Sequence, residues 1–118
     1  MVNKNDNISM EITFKDKKLR ELCEVQKKAQ KKLGVQCARK LKSRLSDMIA
    51  AQSVTELILG RPHPLKGDRA GEFALDLDGG KRLVFESAND PVPLNEDGSI
   101  EWSEVTSIRI VFIGDYHD

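Results

Sequence analysis

The sequence predicts an α+β fold: an N-terminal strand, an antiparallel helical hairpin and a three-stranded antiparallel meander, with the helices packed on one face of an antiparallel sheet. Two patterns carry this prediction. Apolar residues recur at helical spacing among lysines and arginines up to about residue 51, and beyond residue 72 they alternate with polar residues or form a continuous run, as in strands. With 118 residues and no internal repeat, the chain suits a single domain spanning residues 1–118.

The first predicted elements are a strand and a basic helix. Residues 1–7 are polar, and we expect them to be disordered. Apolar and polar side chains alternate over residues 8–14, the pattern of a half-buried strand. Asp16 suits the N-cap of a helix that continues to Leu33, with one apolar stripe on a basic surface. Gly34 suits the end of that helix, since glycine readily adopts positive φ.

A second helix is predicted from about Val35 to Ala51, and the short connection makes the two helices neighbours. Its expected buried stripe consists of Ala38, Leu41, Leu45, Met48 and Ile49. Ser53 and Glu56 have the spacing of a capping box, so we expect a short helical turn through residues 57–59.

The predicted meander occupies the rest of the chain. Apolar and acidic residues alternate over residues 73–78, and Gly79-Gly80 supplies a tight hairpin turn into a return strand over residues 81–86. Residues 88–104 are acidic, contain two prolines and hold the only tryptophan, so we expect a long loop. Residues 107–113 are nearly all branched and apolar, as expected of a central strand.

Charge is distributed unevenly along the chain, although the formal net charge is zero. Residues 1–69 hold 16 Lys+Arg against 8 Asp+Glu, and residues 70–118 hold 3 against 11. A basic surface on the first half would attract a polyanion such as RNA, or an acidic partner. The alternative, which charge alone favours, is that the two halves neutralise each other in the fold.

The sequence carries no signal for export, a membrane or a metal. The N-terminus lacks the basic-then-apolar pattern of a signal peptide, and no apolar run approaches the about 20 residues of a membrane span. Cys23 and Cys37 lie in lysine-rich sequence without a CxxC spacing, so we expect two reduced, partly buried thiols. We therefore expect a cytoplasmic protein without a cofactor.

A proline-rich segment at the junction of the two halves carries one of the two histidines. Pro62 and Pro64 fix φ at about −65° and favour extended conformations for the residues before them, so His63 lies in a stiff, non-helical segment. Lys66 follows closely. Such a loop suits a binding or proton-transfer site, and it also suits an ordinary connection between a helix and a strand.

Other titratable residues lie on or after the predicted strands. Side chains alternate along the last strand, so Ile110 and Phe112 are expected on one face and Asp115 on the other. The full candidate set is His63, Lys66, Arg82, Asp115, Tyr116 and His117. It combines cations with acid and base groups and lacks the clustered ligands of a metal site. Such a set suits metal-free RNA cleavage, in which a base, an acid and phosphate-binding cations act together.

Each candidate also has an ordinary alternative role. His63 would then only satisfy a loop carbonyl, and Lys66 would be a solvated turn residue. Arg82 would pair with Asp76 or Asp78 across the hairpin. The last residues of the chain would be frayed.

The joint pattern resembles the toxin subunits of the HigB group in the RelE/ParE superfamily of bacterial type II toxin–antitoxin systems. The matching motifs are His63-Pro64-Leu65-Lys66-Gly67-Asp68, Gly71, Arg82-Leu83-Val84-Phe85 and Asp115-Tyr116-His117. The resemblance implies a RelE-like fold and a ribosome-dependent endoribonuclease, an mRNA interferase that inhibits translation without a metal. It also implies a helix-turn-helix, HigA-like antitoxin as partner, with DNA contacted only through the antitoxin.

The resemblance assigns roles to the candidate residues. His117 or His63 would shuttle the proton, while Lys66 and Arg82 would bind the scissile phosphate. Tyr116 would position or stack on a nucleotide, and Asp115 would orient an imidazole. The basic helices would follow ribosomal RNA or dock the antitoxin.

Two other readings remain open at the level of sequence. A ParE-like protein would act without catalysis by binding a topoisomerase, and it would not need the histidine, lysine, arginine and tyrosine set. A degenerate relative would keep the fold and act only through protein–protein interaction. Residues 88–104 also lengthen the connection before the last strand beyond the pattern of the family.

Overall fold

The structure is a computed structural model, and it describes residues 9–115. Within these residues one sheet contains the strands β1 (Glu11–Phe14), β2 (His63–Pro64), β3 (Glu72–Asp76), β4 (Arg82–Ser87) and β5 (Ser107–Gly114). Between β1 and β2 the chain forms the α-helices α1 (Lys17–Glu24), α2 (Gln26–Leu33) and α3 (Val35–Ala50). The predicted α+β class is confirmed. No helix in the described part of the chain is long and apolar enough to cross a membrane.

The strand order of the sheet is β1-β5-β4-β3-β2. β3, β4 and β5 are antiparallel neighbours, which confirms the meander, and β5 lies inside the sheet between β1 and β4, as its apolar sequence predicts. β1, however, pairs with β5 in parallel, with Ile12 beside Ile108. The expectation of a wholly antiparallel sheet is therefore wrong, because alternation in a sequence marks a strand but not its direction.

The hydrophobic core lies between the helices and one face of the sheet. Leu83, Phe85 and Ile110 of the sheet are fully buried and share one cluster with Leu41 and Met48 of α3. Burial of a side chain of this size contributes roughly 1.5–3 kcal/mol. The helices thus pack on one face, as predicted, and the other face is left for a site.

The predicted first helix is broken into two at Val25. This residue has φ −117° and ψ 102°, which are extended values. Its N–H ends α1 by donating to the Glu21 carbonyl oxygen at 2.8 Å, and its own carbonyl oxygen accepts from Lys28 and Ala29 to begin α2. Lys28 Nζ also lies 3.0 Å from a Glu21 carboxylate oxygen, which lowers the pKa of Glu21. The break was not predicted because neither glycine nor proline marks it, and the β-branched Val25 is the only local signal.

Two expectations at the end of the helical region are also wrong. Ile49 was expected to be buried, but it is 56% exposed because α3 ends beside the edge strand β1. Residues 57–59 are not helical, and the chain instead forms a 3-10 turn at Val54–Glu56. The Glu56 carboxylate accepts the N–H of Gln52 at 2.8 Å, one residue before the cap that the sequence predicts.

Residues 88–104 form a structured excursion rather than a plain loop. Asn89 holds its ends together, since its Oδ1 accepts the N–H groups of Thr106 and Ser107, each at 3.1 Å. Trp102 returns to the core, with its ring 4.9 Å from that of Phe73 and 6.4 Å from that of Phe85. The insertion therefore covers part of the core.

We expect Trp102→Ala to lower the free energy of unfolding by about 3 kcal/mol, because it removes a large ring that packs on two buried phenylalanines. Leu94→Ala in the same insertion is the control. Leu94 is 56% exposed, so its truncation should change stability by about 0.5 kcal/mol or less. Equal effects in urea denaturation would contradict a core role for Trp102.

Candidate functional site

The sheet face turned away from the core carries the candidate site, and we call it the site face. Cross-strand pairing places Ala74 of β3, Val84 of β4 and Phe112 of β5 side by side on it, with His63 of β2 beside Ala74. The other members follow from alternation along the strands: Glu72, Asp76, Arg82, Glu86, Arg109 and Gly114.

A bulge in β5 determines which side chains reach the site face. Val84 pairs with Phe112 but the next residue, Phe85, pairs with Ile110, so Val111 is an extra residue. The predicted alternation, which put Phe112 on the face of Ile110, is therefore wrong. Phe112 turns to the site face, whereas Ile110 stays buried in the core.

Asp76, at the end of β3, binds three other segments. Its N–H donates to the Gly60 carbonyl oxygen at 2.6 Å, and its carbonyl oxygen accepts from Arg44 Nε of α3 at 3.2 Å. Arg61 Nε donates to Asp76 Oδ2 at 2.9 Å, and Arg82 Nε lies 3.2 Å from Oδ1. The contact at Oδ1 is too poorly aligned to count as a hydrogen bond, so it is an ionic contact. Arg82 thus pairs with Asp76, one of the two aspartates expected as its partner across the hairpin.

The turn before the proline-rich segment has an unusual backbone, which brings the Gly60 carbonyl oxygen to the N–H of Asp76. Gly60 has φ 88° and Arg61 has φ 49°, a value that residues with a side chain rarely adopt. A Cβ on Gly60 would lie 2.7 Å from Arg44 Nε and 3.1 Å from the Asp76 carbonyl oxygen. Glycine here lets the turn lie close against the end of β3 and sets the direction in which the next residues leave.

His63 lies half-buried on β2, beside Ala74. Its Nδ1 lies 2.7 Å from the carbonyl oxygen of Arg61, which can only accept a hydrogen bond. The proton of the neutral imidazole is therefore on Nδ1, and Nε2 keeps a lone pair. The loop-carbonyl role considered for His63 is realised, and it leaves the ring able to accept a proton at Nε2.

Lys66 lies at the opposite end of β3 from Arg82. The N–H of Leu65 donates to the carbonyl oxygen of Glu72, the first residue of β3, at 2.8 Å. Arg82 pairs with Asp76, the last residue of that strand. At about 3.3 Å per residue, the two ends are about 13 Å apart. The backbone therefore does not bring Lys66 and Arg82 together, and His63 lies between them.

The remaining candidates follow β5. Gly114 pairs with Arg82, so Asp115 follows the end of β5 at the Arg82 end of the sheet, and it is exposed. Tyr116 and His117 lie outside the described residues. Within residues 9–115, no group of three or more histidines, cysteines and acidic residues is placed to hold a metal ion.

Two residues of the site face were missed by sequence reasoning. The Arg69 guanidinium lies over the Phe112 ring at 4.7 Å from its centroid, and Arg69 Nη1 is 2.8 Å from a Glu72 carboxylate oxygen. Aromatic rings and arginines together bind nucleobases at many nucleic-acid sites, and here the guanidinium covers one face of the Phe112 ring. No signal in the sequence pointed to Phe112, because only the bulge turns it to this face.

Carboxylates pair with the arginines of the site face. Asp76 forms ion pairs with Arg61 and Arg82, Glu72 with Arg69, and Glu86 with Arg109. Lys66, in contrast, is exposed and has no ion pair within residues 9–115. The arginines of the site face are therefore neutralised more fully by nearby carboxylates than the sequence suggested, and Lys66 is not.

Solved structures of bacterial toxins share this fold. The YoeB/ParE toxin from Agrobacterium tumefaciens gives a TM-score of 0.58 at 13% identity, covering 92% of this chain and 100% of that one. The YoeB dimer from Staphylococcus aureus gives 0.54 at 17% identity, covering 93% and 99%. A YoeB-YefM complex from the same organism gives 0.53 at 16% identity, covering 92% and 98%. The sequence matches no family model and no curated protein.

These similarities show that this chain has the fold of YoeB- and ParE-type toxins. At 13–17% identity they establish the fold and leave its activity open. The neighbours are YoeB- and ParE-type toxins, so the narrower resemblance to the HigB group stays a prediction.

We expect Gly60→Ala to lower the free energy of unfolding by roughly 2–3 kcal/mol, because the new methyl group meets Arg44 and the Asp76 carbonyl at a positive φ. Gly80→Ala is the matched control. Its φ of 82° is similar, but nothing lies within 4 Å of the added Cβ. The control should cost about 1 kcal/mol, and equal losses in urea denaturation would show that the close approach is unimportant.

Proposed function

We propose that this protein is the toxin of a bacterial type II toxin–antitoxin system and acts as a metal-independent, ribosome-dependent endoribonuclease on mRNA. The fold that it shares with YoeB- and ParE-type toxins supports the toxin role. The nuclease assignment rests on His63, whose Nδ1 contact with the Arg61 carbonyl leaves Nε2 as a proton acceptor between two cationic ends of the site face.

The reaction needs a base, an acid and positive charge at the phosphate. His63 Nε2 takes the proton of the ribose 2′-hydroxyl, and the 2′-oxygen attacks the adjacent phosphorus. His117 protonates the leaving 5′-oxygen, so the products are a 2′,3′-cyclic phosphate and a 5′-hydroxyl. Each proton transfer typically contributes about 10²–10⁴ in rate.

The separation of the cations suggests how RNA lies on the site face. Lys66 and Arg82 are at opposite ends of β3, and His63 is between them. The RNA backbone then runs along β3, with the scissile phosphate beside His63 and a cation on either side. Tyr116 positions the neighbouring nucleotide, and Asp115 orients His117.

The helical layer supplies a second charged surface. Over α1, α2 and α3 the chain carries 11 Lys+Arg against 3 Asp+Glu. Such a surface binds ribosomal RNA through its phosphates, which would align mRNA with the few catalytic groups of a small enzyme. The YoeB-YefM complexes support an antitoxin as the second partner, and the resemblance to the HigB group assigns it to the helix-turn-helix, HigA-like type.

One observation favours the alternative of a ParE-like module that acts by binding a protein. The arginines of the site face are paired with carboxylates, whereas RNA cleavage requires cations that can reach phosphate. On this reading the ion pairs hold the sheet in shape, and the toxin acts without chemistry. The two functions differ in whether mRNA is cut.

We expect Lys66→Ala to reduce mRNA cleavage on the ribosome by about 100-fold, because it removes an exposed cation from the phosphate path. A Lys66→Ala, His117→Ala double variant should abolish cleavage. The measurement is mapping of 5′-hydroxyl ends of mRNA within minutes of induction in a bacterial host. Lys66 is exposed and does not belong to the buried core, and His117 lies outside residues 9–115. The melting temperatures of both variants should therefore stay near that of the wild type.

Lys27→Ala on α2 is the matched control, since it removes one exposed lysine away from the site face, and only one of the 11 cations of the helical layer. It should retain most of the cleavage. Growth arrest by the wild type without new 5′ ends, or equal toxicity of the double variant, would favour the binding module. Arg82→Ala is a less clean test, because it also removes the contact at Asp76 Oδ1 and leaves that carboxylate with Arg61 alone among residues 9–115.

A further inference from the structure

The outer edge of β1 has no neighbouring strand within residues 9–115. The N–H groups of Glu11 and Lys15 donate towards β5, to the carbonyl oxygens of Thr106 and Ile110, at 3.0 and 2.9 Å. Backbone groups of successive strand residues point in opposite directions. Those of Ile12 therefore point to the open edge, as do those of Phe14 two residues later.

The opposite edge of the sheet is protected against another strand. β2 is only two residues long, contains Pro64 and follows Pro62. Short length and proline are common devices that prevent pairing at a sheet edge. β1 is four residues long and has neither proline nor glycine, so it is the edge at which a further strand can add.

We propose that β1 pairs antiparallel with β1 of a second copy and joins two molecules in a twofold-symmetric dimer. The segment Glu11-Ile12-Thr13-Phe14-Lys15 reads acidic, apolar, polar, apolar, basic. Reversal about Thr13 therefore sets opposite charges against each other and apolar residues against apolar residues. A twofold axis at Thr13 places Glu11 of each copy against Lys15 of the other.

The backbone geometry fits this axis. In an antiparallel pair, residues that exchange two hydrogen bonds alternate with residues that exchange none. Ile12 of one copy faces Phe14 of the other, and these residues carry the outward backbone groups. Thr13 meets its equivalent on the axis as a pair without hydrogen bonds. A twofold axis at Ile12 or Phe14 would also let the outward backbone groups form hydrogen bonds, but it would not place Glu11 opposite Lys15. The charges of these two residues therefore select the register with the axis at Thr13.

The side chains at this edge are available for pairing. Glu11 and Lys15 are exposed and have no ion pair within residues 9–115. On the helix side of β1 lies a groove of about 350 Å³, lined mainly by Met10, Ile12, Phe14, Cys23, Leu45 and Ile49. A second β1 would extend over this apolar surface and cover part of it. The proposal does not depend on the nuclease assignment.

The test is the molecular mass measured by sedimentation equilibrium over a concentration series. The wild type should approach twice the chain mass of 13.3 kDa. Glu11→Lys and Lys15→Glu each place like charges across the axis, so each should raise the dimer dissociation constant on the order of tenfold or more. The Glu11→Lys, Lys15→Glu double variant restores opposite charges and should dimerise like the wild type.

Lys27→Glu is the control, because it makes the same charge change as Lys15→Glu on the exposed surface of α2. It should leave the dimer unchanged. A monomeric wild type would overturn the proposal and leave the edge to a strand of another protein or to the chain's own terminal residues. A dimer that neither single reversal weakens would overturn it too, since another surface would then form the contact.

A cysteine at the axis tests the register. The Cα atoms of a pair without hydrogen bonds lie about 4.5 Å apart, within the range of a disulfide, so oxidised Thr13→Cys should form a linked dimer. The native thiols should not interfere, because Cys37 is buried and burial raises the pKa of Cys23 to about 12. Lys27→Cys should stay unlinked. Failure of Thr13→Cys to link would contradict the proposed axis.

Discussion

The site face depends on the contacts of Asp76. One residue joins the end of β3 to α3 through Arg44, to the preceding turn through Gly60 and Arg61, and to β4 through Arg82. Its side chain is 33% exposed, so each ion pair contributes about 1 kcal/mol or less. Asp76 therefore matters less for stability than for geometry, because it fixes where the segment carrying His63 begins.

The two ends of the site face consequently differ in character. The Arg82 end is held by backbone hydrogen bonds and a shared carboxylate, whereas Lys66 at the other end is exposed. An anion that approaches Arg82 competes with Asp76 for the guanidinium, and an anion that approaches Lys66 displaces only water. Any ligand that spans the face therefore meets a rigid end, where two arginines share one carboxylate, and an adaptable end with an exposed lysine.

Much of the fold could be predicted because local patterns determine it. Alternation predicted β3, the Gly79-Gly80 turn predicted the return strand β4, and continuous apolar sequence predicted the interior strand β5. Gly34 marked the boundary of α2 and α3. Features that depend on tertiary pairing could not be predicted. The parallel direction of β1, the break at Val25 and the two-residue β2 leave no periodic signal in the sequence.

The site was predictable to a smaller degree. The motifs identified His63 and Arg82, and the alternatives weighed for them, a carbonyl contact and an aspartate pair, are both present. Whether these residues act in catalysis stays a prediction. Phe112 and its partner Arg69 were missed because a single extra residue, Val111, reverses the faces of β5 after Ile110. Beyond such a bulge, every side chain of the strand lies on the face opposite to the one that simple alternation predicts.

The two prolines around His63 also limit how this sheet can grow. Since β2 cannot accept a neighbouring strand, the sheet has one edge that can be extended and one that cannot. Once a strand from any source occupies β1, the sheet formed by residues 9–115 offers no second edge at which a chain of sheets could continue. A protein with one usable edge can form a closed pair, but it cannot propagate edge to edge into a fibre. The segment that positions the candidate histidine therefore also protects the protein from that form of aggregation.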